Sequence, residues 1–405
     1  MSDNGQRADS AAANVIGLAA LTHGAYSGVD LQPIWTGLLA RVRQDPYDAG
    51  AMMDISVVLQ LTGQREQGLE AQRHALALGQ VYARPGDPTG LKLLTFVTSG
   101  DFMANTPVDF LLEGSGTNLL DMYVGAGEPL PTVPEHEVAF VAIGESDDSR
   151  AVLDGLKPML EVWPRPVLNR NVEAIKTLGR DRIAKAFADA SHVLAPATWR
   201  LSRSDLERLA AGEAPLNPEF TAPSYPVIVR PVGSHAGQQL ELIGGVGALQ
   251  SYVERTEGAE FFIAPFIEYA GPDGLYRKFR IAMIGGKPFI SHMAVSDHWM
   301  VHYLNSGMGL DETKRDEERV AMETFDTVFV PKHQAAFDEL NARIDLDYYA
   351  IDCAEMPDGR LLLFEADVAM IVHSMDEPDL FPYKGPRMKA LFEAFDGLLR
   401  RAAGR

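Results

Sequence analysis

The stretch Tyr349-Ala350-Ile351-Asp352-Cys353-Ala354-Glu355-Met356-Pro357-Asp358-Gly359-Arg360-Leu361-Leu362-Leu363-Phe364-Glu365-Ala366-Asp367-Val368 reads as two apolar runs around a Pro-Asp-Gly-Arg turn. Asp-Gly between alternating runs is the strongest short-range hairpin signal. With Asp358 and Gly359 as a two-residue loop, Asp352 falls opposite Glu365. Side chains alternate along a strand, so Asp367 shares the face of Glu365 one pleat further on. Like charges facing each other cost up to about 1 kcal/mol, so a fold that gathers such carboxylates is expected to neutralise them with a cation. Hard oxygen donors suit Mg²⁺, which keeps some waters and bridges to phosphates. Asp352, Glu365 and Asp367 are therefore the candidate metal ligands, flanked on their face by apolar Ala354 and Leu363. Cys353 is expected on the opposite face, in the core. The competing reading is a solvent-facing acidic strand in another register.

Upstream, Pro226-Val227-Ile228-Val229-Arg230-Pro231 is a strand that ends in a cation and runs into Gly233-Ser234-His235-Ala236-Gly237. Such a loop can turn several backbone N–H groups toward a phosphate. A second basic cluster, Arg277-Lys278-Phe279-Arg280, places Lys278 and Arg280 on one face if it is a strand. The alternative for both is solvated surface charge. His292, His298 and His302 follow, either as surface histidines of a structured loop or as substrate contacts.

These local cations matter because the 405-residue chain is acidic overall, with 56 Asp and Glu against 36 Lys and Arg and a formal charge of −20. Such a surface repels nucleic acid and anionic membranes. No run reaches the roughly 18 apolar residues of a membrane helix, and the single Cys353 excludes an intrachain disulfide. A cytoplasmic location is the expectation. A hydrophobic content of 46% and the length predict several packed units.

Residues 1–14 are expected to be a disordered tail and 15–84 a helical region. Within the latter, Ser56, Gly68 and Ala75 would let two antiparallel helices approach closely, with Gly63 ending the first. Arg84-Pro85-Gly86-Asp87-Pro88 reads as a boundary. Residues 89–170 then alternate short apolar strands (91–97, 119–124, 138–143, 166–169) with helices, as in a small parallel α/β sheet of Rossmann-like type. No G-x-G-x-x-G follows the first strand. From 171 onward a helix over 172–190, strands near 197–201, 227–229, 261–267 and 279–284, and helices over 332–344 and 386–401 predict an α+β unit reaching residue 405, with subdomains of about 190–265 and 266–401.

The order of Arg182, then Arg230 with Gly233–Gly237, then 261–267, then Arg280 with Gly285-Gly286-Lys287, then Asp352 and Glu365-x-Asp367 resembles the ATP-grasp superfamily. The similarity is greatest to its glutathione-synthetase and RimK-like amide ligases, and it spans about 164–401. The preceding sheet stands where that family has a pre-ATP-grasp domain, and the helical region resembles one tetratricopeptide unit, which would either pack on its neighbour or dock a peptide or protein. The resemblance implies phosphate contacts from Arg182 and Arg230, a lid of Gly233, Ser234, His235 and Gly237, and an adenine-reading hinge of Pro265, Phe266 and Ile267. It places Glu268 or Asp273 at the ribose, Arg280 and Asn305 at the transferred phosphoryl group, and Mg²⁺ (or Mn²⁺) on Asp352, Glu365 and Asp367.

The implied reaction uses ATP to activate a carboxylate as an acyl phosphate, which an amine then captures; a peptide or amino-acid-like pair is the preferred substrate class, and a homodimer is compatible. A non-catalytic nucleotide-binding protein and a small-molecule kinase on the same fold are the alternatives. The segment Asp101-Phe102-Met103-Ala104-Asn105-Thr106-Pro107 and the helical region are where substrate contacts are expected. Arg182 and Arg230 stand where the family has lysines, and Asp367 where it has asparagine. Arginine and lysine are not interchangeable at a phosphate, so this site is expected to be charged differently.

Overall fold

The computed structural model describes residues 12–213, 220, 224–234 and 237–405. Its first sheet orders β1 (Ala13–Asn14), β2 (Val81–Arg84), β3 (Lys92–Val97), β4 (Asn118–Tyr123), β5 (Val138–Val141) and β6 (Val167–Leu168) as β1-β2-β4-β3-β5-β6. A third sheet takes β7 (Val193–Leu194) beside the long strands downstream. The second sheet, order β10-β9-β11-β8, is built from β8 (Trp199–Ser202), β9 (Val227–Pro231), β10 (Glu241–Ile243) and β11 (Glu260–Pro265). The third, order β13-β12-β14-β15-β7, adds β12 (Tyr276–Ile284), β13 (Lys287–Ser296), β14 (Tyr348–Glu355) and β15 (Leu361–Asp367).

The helices are α1 (Leu18–Tyr26), α2 (Gln32–Gln44), α3 (Ala49–Leu61), α4 (Arg65–Leu78), α5 (Val108–Leu111), α6 (Asp147–Glu161), α7 (Val172–Lys176), α8 (Arg180–Ala186), α9 (Arg203–Ala210), α10 (Val246–Arg255), α11 (Glu312–Thr324), α12 (Val330–Ile344) and α13 (Lys384–Ala403). The first and third sheets share one core. Phe96 and Val141 lie in the same buried cluster as Phe279 and Ile351, and Phe140, Tyr348 and Phe395 of α13 meet edge to face. The second sheet keeps its own core around Val229, Leu249 and Phe261.

The acidic hairpin forms, with one change that matters. Asp352 does pair with Glu365, and Ala350 with Asp367. Nearer the turn the register differs by one residue: Cys353 faces Leu363 and Glu355 faces Leu361. The turn is longer than the Asp-Gly pair, with Met356 N donating to Arg360 O at 2.9 Å and Gly359 at φ 91°. A bulge between Asp352 and Cys353, which leaves Phe364 as the extra residue, restores the offset. It also corrects the expected flank. Leu363 packs with Cys353 in the main core, and Leu362 joins Ala354 beside the site face.

Four further expectations are corrected. Residues 13–14 are not tail but a strand parallel to β2; residues 1–11 lie outside the described residues. The helical stretch ends at Leu78, because Val81 to Arg84 pair with β4. The 84–88 break therefore separates two strands of one sheet. The parallel pairing runs through β4, β3, β5 and β6, but β2 joins antiparallel, so the sheet is mixed. The single helix over 172–190 is two short ones, with Gly179 capping the second.

The α3–α4 approach is as close as its small residues predicted: a Cβ on Gly68 would stand 2.9 Å from Ser56 O. The pair is fastened to the sheet by Gln72, which exchanges two hydrogen bonds with Gly100, and by Arg65 on Asp101. Asp54 of α3, 1% exposed, holds the chain after β1 by accepting from Ile16 N at 2.9 Å and Gly17 N at 3.3 Å. Burial pushes its carboxyl up to about 6, against those two bonds.

A carboxyl raised in the folded state holds its proton more tightly there, so its contribution to stability falls as pH rises from about 4 to about 6 and stays lost above. Asp54→Asn keeps an acceptor without the charge. Its unfolding free energy relative to wild type is expected to rise by up to about 2 kcal/mol between pH 4 and pH 8, as read from denaturant melts. A pH-independent difference would exclude a buried charge there.

Candidate functional site

A cleft of about 400 Å³ opens between the second and third sheets. One wall is apolar: Ile228 of β9, Phe262 and Ala264 of β11, and the exit of β11 through Pro265, Phe266 and Ile267. Phe266 N donates to Pro226 O at 3.0 Å, and the Phe266 ring meets Trp299 edge on. The other wall is charged. β12 presents Lys278 and Arg280 on one face, as period-2 alternation requires, and the hairpin presents Asp352, Glu365 and Asp367 opposite them.

Asp352 is the anchor of this wall. Its Oδ1 accepts from Arg280 Nε at 2.8 Å, and its Oδ2 accepts from Arg280 at 3.0 Å and from Lys278 Nζ at 2.8 Å. Burial opposes its charge, but Arg280 and Lys278 outweigh burial and hold the carboxyl far below its usual range. Glu365 Oε1 accepts from Arg180 at 2.6 Å, and its carboxyl is also lowered, with Arg180 and Arg230 overcoming burial and Asp352. Asp367 goes the other way. Burial first, then Glu365 and Glu145, push it up to about 7, and its Oδ1 accepts only the Ala369 N–H at 3.0 Å. The compensating cation expected at the trio is thus supplied, for Asp352, by the protein's own arginine and lysine.

Arg230 lies in the cleft wall with its guanidinium tied back to the Ser234 hydroxyl (3.0 Å) and the Ser234 carbonyl. Burial and the neighbouring Arg180 lower it to about 10. Glu365, paired with Arg180, offsets part of that effect. Gly237 closes the cleft against Met300; Gly233, at φ 77°, is at the bend of the loop but outside the lining. His235 lies outside the described residues.

Several expected residues are elsewhere. Arg182 pairs with Glu145 and donates to Lys176 O at 2.7 Å, so it braces α8 against the first sheet. Of that helix Arg180, Ile183 and Ala184 line the cleft, and Arg180 is the charged one; the expected single helix ran through the break at Gly179 and so hid it. Asn305 is exposed on a short 3-10 turn, while His302, three residues earlier, faces the cleft. Glu268 is exposed and accepts from Ala270 N, and Asp273 is paired with Arg277 at 2.6 Å. Of the histidines only His292 leaves the expected loop: Gly285 and Gly286, both at positive φ, turn the chain into β13, where His292 pairs with Arg280 across the ladder, whereas His298 and His302 follow the end of that strand at Ser296. His298 accepts from Met300 N instead of lining the cleft.

Among the described residues no three His, Cys, Asp or Glu side chains stand as a ready metal cluster. The charges still discriminate between the carboxylates. Asp352 is saturated by two cations, whereas Asp367 has no basic partner within ion-pair distance and sits beside Glu365. Carboxylate oxygens are the donors a hard divalent cation takes, so this pair is the candidate place for one.

Neither a protein-family model nor a curated protein sequence matches the chain. Solved structures that resemble it include a RimK domain ATP-grasp protein from Sphaerobacter thermophilus, at 15% identity over 76% of this chain and 99% of that one, TM-score 0.42. The VanG D-Ala:D-Ser ligase of Enterococcus faecalis matches at 11% identity over 77% and 100%, TM-score 0.45. The D-alanine–D-alanine ligase of Coxiella burnetii matches at 13% over 78% and 96%, TM-score 0.44. At these values the likeness is one of outline, and the chemistry rests on the cleft itself.

Proposed function

We propose that the chain is an ATP-grasp ligase that spends ATP to join a carboxylate to an amine, with Mg²⁺ as its metal. The observation that carries the reading is one cleft with an apolar slot at one end and four cations, Arg180, Arg230, Lys278 and Arg280, facing three carboxylates at the other. A flat base suits the slot along Pro265, Phe266 and Ile267. A triphosphate suits the cations, since arginine forks bind its oxygens bidentately.

Glu365 and Asp367 would hold Mg²⁺, which when bound supplies charge neutralisation to the phosphate oxygens. Asp352 is assigned a different task from the one its sequence position implied: it aims Arg280 and Lys278. Phosphoryl transfer needs positioning and charge stabilisation more than covalent help from the protein. The γ-phosphorus bonds to a carboxylate oxygen of the substrate as its bond to the bridging oxygen breaks, and ADP leaves with that oxygen. An amine then displaces phosphate from the acyl carbon, releasing a proton.

ADP formation that requires both a carboxylate and an amine, with a stable amide product, tests the proposal. Binding of Mg²⁺–ATP without turnover on any pair would favour a nucleotide-binding protein, and a stable phosphorylated product a kinase. Two arginines sharpen the test. Arg180→Met is expected to raise the KM for ATP about 10-fold or more, the value of one lost charge-assisted hydrogen bond to phosphate. Arg182→Met should leave that KM within about twofold by the same rule, because Arg182 serves Glu145. Equal effects of the two would remove Arg180 from the phosphate site.

A further inference from the structure

A second cavity, of about 230 Å³, lies behind the cationic end of the cleft. The two share Lys278, Arg280, His302 and Ile371, so one pair of cations faces both. The far walls do not come from the strands of the cleft. They come from α1 (Thr22 and Tyr26), from Phe110 of α5, and from His373 in the segment after β15. Phe102 and Pro107, from the loop after β3, complete them.

Three properties define what fits. The first is charge. Lys278 and Arg280 carry two positive charges against the one negative charge of Asp352, so the junction has a surplus of one. The second is hydrogen-bonding capacity. Of five N–H donors on a guanidinium and three on an ammonium, Arg280 spends three on Asp352 and Ile371 O, and Lys278 spends one on Asp352. Four donors are left for an anion. His302 adds a buried Nδ1 that has no partner among the described residues.

The third property is shape. The rings of Tyr26 and Phe110 stand 6.4 Å from that of His373, at interplanar angles of 48° and 54°, which leaves an aromatic-walled slot. His373 is neutral at physiological pH, lowered to about 4 by burial. Asp376, the one carboxylate of this cavity among the described residues, is paired with Lys384 at 3.1 Å. The slot therefore favours a flat apolar body with no positive charge.

We infer that this cavity receives the carboxylate to be activated, and that the acid is a small one with an aryl or similarly flat apolar body, its carboxylate on Lys278 and Arg280. This rests on the ligase reading for its chemistry and gives the helical region a task, since α1 supplies part of the acid's wall. In the transfer step an oxygen of this carboxylate bonds to the γ-phosphorus across the junction, the bond to the β,γ-bridging oxygen breaks, and ADP departs on the cleft side.

The experiment measures binding of benzoate, cinnamate, acetate and succinate to the full chain by saturation-transfer NMR, with and without Mg²⁺ and a non-hydrolysable ATP analogue. Wild type is expected to bind the aryl acids at least tenfold more tightly than acetate or succinate. Thr22→Trp, which fills the slot from α1, is expected to weaken the aryl acids at least tenfold, its melting temperature being checked alongside. Should that variant fail to fold, Tyr26→Ala removes a half-exposed wall instead, with a loss of about fivefold or more expected.

Aryl binding that neither variant changes, or no preference for aryl acids in wild type, overturns the inference. Because these readouts need no turnover, they separate it from the ligase reading. ADP formation with some other acid and an unchanged response in both variants would sink the cavity and keep the ligase. Aryl binding lost in Thr22→Trp, without ATP turnover, would do the reverse.

Discussion

Asp352→Ala is expected to lower the unfolding free energy by about 3–5 kcal/mol, the cost of leaving a buried charge without its partner. The size follows from where the charges sit. The Asp352 side chain is 5% exposed and those of Lys278 and Arg280 are 15% and 22% exposed, so water replaces the missing carboxylate only in part. Two cations would then stand at successive positions of one strand face, with the Ile371 carbonyl as the acceptor left to Arg280 among the described residues. A surface pair would contribute about 0–1 kcal/mol, and the two ranges do not overlap.

The double variant Asp352→Ala with Lys278→Met is expected to recover part of the loss, because it removes one of the orphaned cations, so the two substitutions should be strongly non-additive. Additivity in urea melts would mean that Lys278 and Asp352 are not coupled. The same variant also separates two roles for Asp352. As a metal ligand its loss would weaken Mg²⁺ binding at unchanged stability; as the anchor of Lys278 and Arg280 its loss appears first in the melt.

That distinction shows how far the sequence could be read. The pairing of Asp352 with Glu365 was legible from Asp358-Gly359 and strand alternation, although the route to it was partly wrong. A longer turn shifts the register by one residue and the bulge at Phe364 shifts it back, and no local residue preference announces that bulge. What the carboxylates are bonded to was not legible, because Lys278 and Arg280 reach Asp352 from 74 and 72 residues away.

Arg182 and Arg180 differ by two positions, and choosing between them needed the helix break that Thr177-Leu178-Gly179 imposes. The strand β13 was hidden for another reason: its histidine and serine positions interrupt the apolar alternation, and the main-chain pairing with β12 decides its structure. Of the Asp101–Pro107 segment, where substrate contacts are expected, Met103 lines the cleft and Phe102 and Pro107 the cavity behind it. That α1 closes the same cavity could not be read, because helix propensity says nothing about which sheet edge a helix will cover.

Arg280→Lys is expected to reduce kcat by about 100- to 1000-fold, the range found when one preorganised donor to a developing negative charge is removed, while the KM for ATP changes by less than about tenfold. Arg280 simultaneously binds Oδ1 and Oδ2 of Asp352, donates to Ile371 O at 3.1 Å, and lines both the cleft and the cavity behind it with two of its five N–H groups unspent on these partners. A lysine ammonium has the same charge but three donors on a flexible stem. It can satisfy Asp352, and with Lys278 still bound to Oδ2 the fold should lose no more than about 1–2 kcal/mol, the worth of a hydrogen bond to a charged group.

It cannot also hold the Ile371 carbonyl and present two parallel donors to an oxygen whose charge grows only in the transition state. Arg180 and Arg230 remain to bind the ground-state phosphates, so the loss should fall on turnover and leave nucleotide affinity largely intact. Such a split between kcat and the KM for ATP marks an interaction that the nucleotide makes in the transition state and not on binding. Stopped-flow or coupled measurement of ADP release, with nucleotide affinity taken separately by calorimetry, reads both quantities. An Arg280→Lys protein that turns over normally would make Arg280 a structural partner of Asp352 and would move the charge stabilisation to Lys278.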